Sequence, residues 1–480
     1  MIPARAAVSV RCAAAAVAVG AVLFTLLPGA AGAATTVRIW HSLRGPDAEV
    51  FASLLERYNA SQEEVRVAAE YKGGETDTVL AAARALRARQ PLPDLLQVAD
   101  DYSTTVLAVK GLARPLAEAV APADVKFLVP EMLAFTRGAR GEQYGFPLEV
   151  AVPMFFYNQD LLRGAGIDPP LPAPTWRGLQ AQLLALRQPG SPVSCAYTSS
   201  NQAWIHVENL GAWHGENIAS KNNGNDGAGA ALSFNGLLHV RHVALMMSWL
   251  KSQLFTYSGR AREGDARFAS GECATLSAGS TALASLIDGG AAPRLAFGVA
   301  PMPFHEEGAR QPVASLAGGS ALWLMAGRKP AENRAVGQFL RWFASAPVAS
   351  EWHQKTGSLP LTEAAWRATQ ESGYYERVPG LGPLLQTVIE QRAGAVKRVR
   401  AVRLPNYERV REVIDAQLEA VWNGSKPAKQ GLDDAVRLGN LAMRDQAAAA
   451  GAAPAVAGPA ARAPAGKAPV NKLRATKVRY

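Results

Sequence analysis

"TVRIWHSLRGPDAEVFASLLERYNASQEEVRVAAEYKGGETDTVLAAARALRARQPLPDLLQVA", Thr36 to Ala99, decides the fold of this chain. Within it "VRIW" is a short apolar strand, and "AEVFASLLERYNA" repeats apolar residues at helical spacing. "VRVAAEY" is a strand, "TDTVLAAARALRA" a helix, and "PDLLQVA" a strand again. Two successive strand-helix-strand units build a mainly parallel sheet flanked by helices, the α/β class, with ligands in the crevice beyond the carboxyl ends of the strands. The loops leaving "EYKGG" and "LLQVADD" are then crevice loops, which puts Glu75, Asp100 and Asp101 at its edge.

A second series follows an extended, proline-containing crossing, "YGFPLEVAVPMFFYN". It holds the helix-like "TWRGLQAQLLALRQ", the strand "VSCAYT", the helix-like "NQAWIHVENLGAW" and the loop "SKNNGNDG". Another crossing, "VAPMPF", precedes the strand "GSALWLMA" and the helix "AENRAVGQFLRWFA". Two sheet-forming series joined by extended crossings predict two lobes, each discontinuous in sequence. One spans residues 34–146 plus 303–348, and the other 147–302 plus 349–445.

The ends have a different character. Arg5 and Arg11 precede an apolar run from Ala13 to Leu27, and "AGA" at 31–33 offers small residues before a cut, so residues 1–33 read as a cleaved signal peptide. That run is shorter than the roughly 20 residues that span a bilayer. The expected mature protein is exported, to the periplasm. Formal net charge is +10, yet the leader carries two of the arginines and residues 446–480 carry six basic residues without an acid, which leaves +2 for the core. A basic isoelectric point is therefore no argument for nucleic acid. Residues 446–480, an Ala/Pro-rich basic tail, are expected to be disordered. Once Cys12 leaves with the leader, Cys195 and Cys273 remain. In an oxidising compartment they favour one disulfide, the alternative being two buried thiols.

No G-x-S-x-G, H-E-x-x-H, Walker loop or C-x-x-C occurs, and no cofactor or metal is expected. His239 and His242 stand at ligand spacing on a helix but lack a nearby acid or thiol, so a packed or surface pair is expected. "SAGSTA", Ser277 to Ala282, is either a small-residue approach to an anion or a plain tight turn. Arg411 lies at the edge of the apolar stripe of "YERVREVIDAQLEAVW", placed either to reach water along that stripe or to point into a cleft, where its planar fork suits phosphate or carboxylate. In "EWHQKTGSLPLT", Glu351 to Thr362, Gly357 fits a helix C-terminal cap.

Seven strings occur in order: "IWHS", "NQAWIHVENLGAWHG", "SKNNGNDG", "FASGECATLSAGS", "GGSALWLMAG", "EWHQKTGSLPLT" and "LEAVWNG". Together they resemble the extracellular solute-binding family of bacterial ABC importers, in particular its glycerol-3-phosphate-binding branch, over roughly 36–444. The resemblance implies a non-enzymatic, monomeric two-lobed clamshell that holds a small molecule at the hinge and delivers it to permease subunits in the inner membrane. The family's ligand-facing acid corresponds to Asp100, its loop glycine to Gly319, its anion-binding arginine to Arg411 and one of its tryptophans to Trp204. Other positions depart from the pattern. A tyrosine is replaced by Glu75 and another by Ser358, a serine by Ala151 and another by Gly279 with Ser280 beside it, and a second tryptophan by Asn201. Glycerol 3-phosphate or a related glycerophosphodiester is the implied ligand, with a sugar or polyol on the same scaffold as the alternative. A secreted glycoside hydrolase, using Asp100 and Glu149 as paired carboxylates, is the alternative from another class.

Overall fold

The computed structural model describes residues 34–287, 295–307, 315–393 and 399–451. The expected signal peptide, and the expected tail beyond 451, lie outside these residues. The strands are β1 (Thr35–His41), β2 (Val65–Tyr71), β3 (Leu95–Ala99), β4 (Gly145–Ala151), β5 (Pro153–Asn158), β6 (Cys195–Ser199), β7 (Phe255–Tyr257), β8 (Cys273–Gly279), β9 (Phe297–Ala300) and β10 (Gly318–Leu324).

They form two five-stranded sheets of like design, ordered β2-β1-β3-β10-β4 and β7-β6-β8-β5-β9. In each sheet three neighbouring strands are parallel, and the antiparallel member, β10 or β5, is the strand that follows a crossing from the other sheet. The first sheet is built by the Thr36 to Ala99 stretch. Val37 and Ile39 of β1 alternate into the core, and the Gly45–Ser61 helix, opened by Pro46, buries Phe51, Leu54, Leu55 and Tyr58 along one stripe. The Glu75–Arg87 helix is capped by Asp77, whose carboxylate accepts the Gly74 N-H at 3.0 Å.

The lobe limits expected from the sequence shift in three places. The sheet changes at Val152 rather than at Phe146, because the whole of β4 pairs with β10 in the first sheet. Pro147 is tolerated within β4 since β4 is an edge strand, and Pro153 since it is the first residue of β5. The Ala346–Thr356 helix packs in the first core rather than passing to the second lobe at 349. Its Trp352 meets Phe51 and Phe343 edge-on, at 6.1 and 5.6 Å between ring centroids. At the C-terminus the Ala428–Gly451 helix continues past Gln446, where disorder was expected. Four alanines at 447–450 are strong helix formers.

The second lobe is filled by Trp176, Tyr197, Trp249 and the helices around them. Cys195 and Cys273 are directly opposed on the parallel strands β6 and β8, Cα atoms 4.4 Å apart, and form a disulfide across 78 residues of sequence. The same lobe holds a chain of imidazoles, buried at His206 and His242 and half-buried at His305. The His206 Nε2 contacts the Ser199 hydroxyl at 2.8 Å, His206 Nδ1 contacts His242 Nε2 at 2.9 Å, and His242 Nδ1 contacts His305 Nε2 at 3.1 Å. His239 is also buried, on the Val207 carbonyl, so the pair expected at ligand spacing is packed.

Candidate functional site

A cleft of about 720 Å³ opens between the two sheets, lined by residues of both. Glu75 begins the Glu75–Arg87 helix, where a carboxylate is favoured by the helix dipole. Its oxygens are committed: Ser42 donates its hydroxyl at 2.6 Å and Ala99 its N-H at 2.9 Å. Burial raises the Glu75 pKa and these two bonds oppose the rise. Asp100, just after β3, accepts the Gly319 N-H at 3.3 Å. Glycine is required at 319, since a Cβ there would come within 2.1 Å of the Glu149 carbonyl oxygen. Glu149 on β4 accepts the Ser320 hydroxyl at 2.7 Å, and burial, with the Asp47 charge beside it, pushes its pKa up to about 7.

The facing wall is carried by the Tyr407–Trp422 helix and the turn after β6. Arg411 makes a two-pronged bond to the buried Glu208, at 2.7 and 2.9 Å, and reaches across to Asp100 at 2.8 Å, with Asp101 at 3.7 Å. Of the two roles its stripe-edge position allowed, the cleft is the one it takes. Burial pushes Asp101 up to about 7 against the pull of Arg411, and one of its oxygens, Oδ1, has no partner among the described residues. Asp415, one turn beyond Arg411, accepts the Ala203 N-H at 3.0 Å and is also pushed up to about 7 by burial.

Trp204 opens a π-helical turn, Trp204–Asn209, a distortion that recurs at functional sites. Its indole lies against a glycine from each sheet, with the Cβ positions of Gly318 and Gly279 at 3.2 and 3.5 Å from the ring. The indole N-H has no hydrogen-bond partner among the described residues. Arg260 pairs with Glu419 at 2.9 Å, while Arg262 pairs with Asp265 at 3.1 Å and faces Asp47 at 3.9 Å. In all, eight carboxylates line the cleft against four guanidiniums.

Of the residues singled out in the sequence, Glu75, Asp100, Ala151, Asn201, Trp204, Gly279, Gly319 and Arg411 line this cleft. Ser280 and Ser358 do not. Ser280 is buried behind β8, its N-H on the Val152 carbonyl at 2.8 Å. Ser358 accepts the Val150 N-H at 2.9 Å and fastens the end of β4. Its position follows from Gly357, which caps the preceding helix with φ 68° so close to the Ser280 carbonyl oxygen that a Cβ would lie 2.5 Å from it. "SAGSTA" divides between the end of β8 and the turn before the Ala282–Ile287 helix. Glu208 and Asp415 escaped the sequence reading. Asp415 had a signal, the four-residue spacing from Arg411 on one helix face; Glu208 had none, because the π turn alters helical spacing.

Comparison with known proteins agrees with this architecture. The profile described as bacterial extracellular solute-binding protein matches residues 53–372. The sn-glycerol-3-phosphate-binding periplasmic protein UgpB of Yersinia pseudotuberculosis is 34% identical over 86% of this chain and 93% of its own length. UgpB of Escherichia coli K12 is 34% identical over 87% and 94%, respectively. Among solved structures, UgpB from Mycobacterium tuberculosis in complex with glycerophosphocholine aligns with a TM-score of 0.69 at 18% identity, covering 86% of this chain and all of that one. A cyclic maltosyl-maltose-binding protein from Arthrobacter globiformis aligns with a TM-score of 0.64 at 23% identity over 86% of this chain. At these identities the solved structures speak to the fold.

Proposed function

Because the chain belongs to the bacterial extracellular solute-binding proteins, which are binding proteins of ABC importers and not enzymes, we propose that it captures a glycerophosphodiester or glycerol 3-phosphate in the periplasm and hands it to an ABC permease. The N-terminal sequence, with its leader-like features, supports the compartment. The curated relatives are named for glycerol 3-phosphate, and a structural neighbour was solved with glycerophosphocholine.

The observation that carries the choice of ligand is the excess of acidic over basic groups in the cleft, eight carboxyl groups against four guanidiniums, an excess that remains although burial holds Asp101, Glu149 and Asp415 partly neutral. Such a lining repels a simple dianionic ester and suits a diester whose head group is cationic. Trp204 offers an indole face to the glycerol and an unpartnered N-H to an oxygen. Asp100 and its neighbours offer acceptors to hydroxyls.

Calorimetry with glycerophosphocholine, glycerol 3-phosphate and maltose, each recovered afterwards and weighed by mass spectrometry, tests the reading. The diester is expected to bind more tightly than the monoester, and both to be returned intact. If neither phosphate ester binds at millimolar concentration and a sugar or polyol does, the phosphate reading is wrong.

A further inference from the structure

Four guanidiniums reach the cleft, and three are already paired. Arg411 is held by Glu208, Asp100 and Asp101; Arg260 by Glu419; Arg262 by Asp265, with Asp47 beyond. An anion approaching any of these meets the carboxylates that hold it. To take Arg411, a phosphate would have to displace Asp100 and leave a buried carboxylate uncompensated, an expensive exchange.

Arg44 is different. It lines the same cleft and makes no ion pair among the described residues. Its Nε donates to the Tyr71 hydroxyl at 2.8 Å, and its guanidinium carbon lies 5.9 Å from the centre of the Tyr71 ring. That single bond fixes one edge of the fork and commits neither Nη group to a carboxylate. Gly74 stands beside the fork, with its Cβ position 3.4 Å from Arg44 Nη2, an ordinary contact. Glu75, whose charge is felt by Arg44, has both oxygens engaged by Ser42 and Ala99. A planar fork with unpaired N-H groups suits a phosphate oxygen pair.

We infer that Arg44 receives the anionic group of the ligand and sets the cleft's preference for phosphate-bearing over neutral ligands, while Arg411 ties the two walls together. This rests on the phosphate-ester reading of the ligand. The phosphate then lies at Arg44, between the glycerol at Trp204 and Asp100 and, in a diester, the cationic head.

The test is calorimetry on the full mature chain and on Arg44→Gln and Arg44→Lys, with glycerol 3-phosphate, glycerophosphocholine and glycerol, at low and high salt. Arg44→Gln is expected to weaken both phosphate esters by roughly tenfold or more, to leave any glycerol binding unchanged, and to flatten the salt dependence, because an exposed cation is screened by salt. Arg44→Lys is expected to recover part of the loss. Phosphate-ester binding by Arg44→Gln that equals the unmutated protein's, with the same salt dependence, overturns the role of Arg44 and leaves the ligand reading standing. Failure of the unmutated protein to bind either ester overturns both.

Discussion

Around Arg411 the molecule buries charges and pairs them: Glu208, Asp100 and Asp101 surround one guanidinium. Around His242, in the interior of the second lobe, it buries groups that give up their charge. His206 is depressed to about 3 and His239 to about 4 by burial, and His242 is depressed well below its ordinary value, first by burial and then by His206 and His305. A neutral imidazole has one donor and one acceptor, so the chain from Ser199 to His305 can be satisfied without ions. The two solutions answer acid in opposite directions. For a depressed histidine the contribution to stability is full above the unfolded pKa of 6.5 and is lost as pH falls toward the folded value near 3 or 4. For Asp415, raised to about 7 from 3.8, the contribution is full below the unfolded value and is lost as pH rises through about 7. The cleft weakens toward alkali and the histidine core toward acid, and stability peaks between.

The largest effect expected is that of Arg411→Ala. It leaves Glu208 buried without its partner, which costs about 3–5 kcal/mol in chemical denaturation. A loss below about 1 kcal/mol would mean that the cluster is solvated, and the contrast with the histidine core would collapse. Next comes His242→Asn. The buried histidines pull stability down as pH falls below 6.5, against the raised carboxyls of the cleft, and this variant should reduce the histidine contribution to the slope by about 1.4 kcal/mol per pH unit, the worth of one proton. An unchanged slope would assign the acid sensitivity elsewhere. Asp415→Asn should flatten the opposite limb, between about pH 4 and pH 7, by up to the same worth of one proton. Stability curves at a series of pH values decide both. Ser358→Ala is the smallest, about 1 kcal/mol for one hydrogen bond, and it lies outside both regions. Its sharper readout is the radius of gyration with and without ligand, since the bond it removes fastens β4 next to the sheet switch.

The parts of the fold legible in the sequence were those whose pattern is local. The alternation from Thr36 to Ala99 gave three strands and two helices because each element buries its own stripe. Gly357 was legible as a cap because positive φ leaves a sequence trace. The exact crossing was not, since Pro147 looks like a break and is tolerated on an edge strand. Nor was the first-lobe packing of Trp352, which depends on rings from Phe51 and Phe343 far along the chain. In the cleft, Asp100 was legible from the loop after its strand and Arg411 from the edge of its helical stripe, with the resemblance adding their roles, but their contact with each other was not legible. They are 311 residues apart, and Arg411 and Glu208 are 203 apart. Pairings of that range leave no periodicity to read. Ser358 was expected in the cleft through the resemblance, yet the backbone of β4 lies nearer and takes its hydroxyl.

Val152 alone separates β4 from β5, so this crossing between the two sheets is one unbroken length of extended backbone. Tension applied between the lobes travels along it as along a cable anchored unequally. At one end β4 is held by a single neighbour, β10; at the other, β5 is held on both flanks by β8 and β9. An edge strand peels bond by bond, while an inner strand must break two rows together. Pulled apart, the first lobe therefore frays from its β4 margin while the second is still whole.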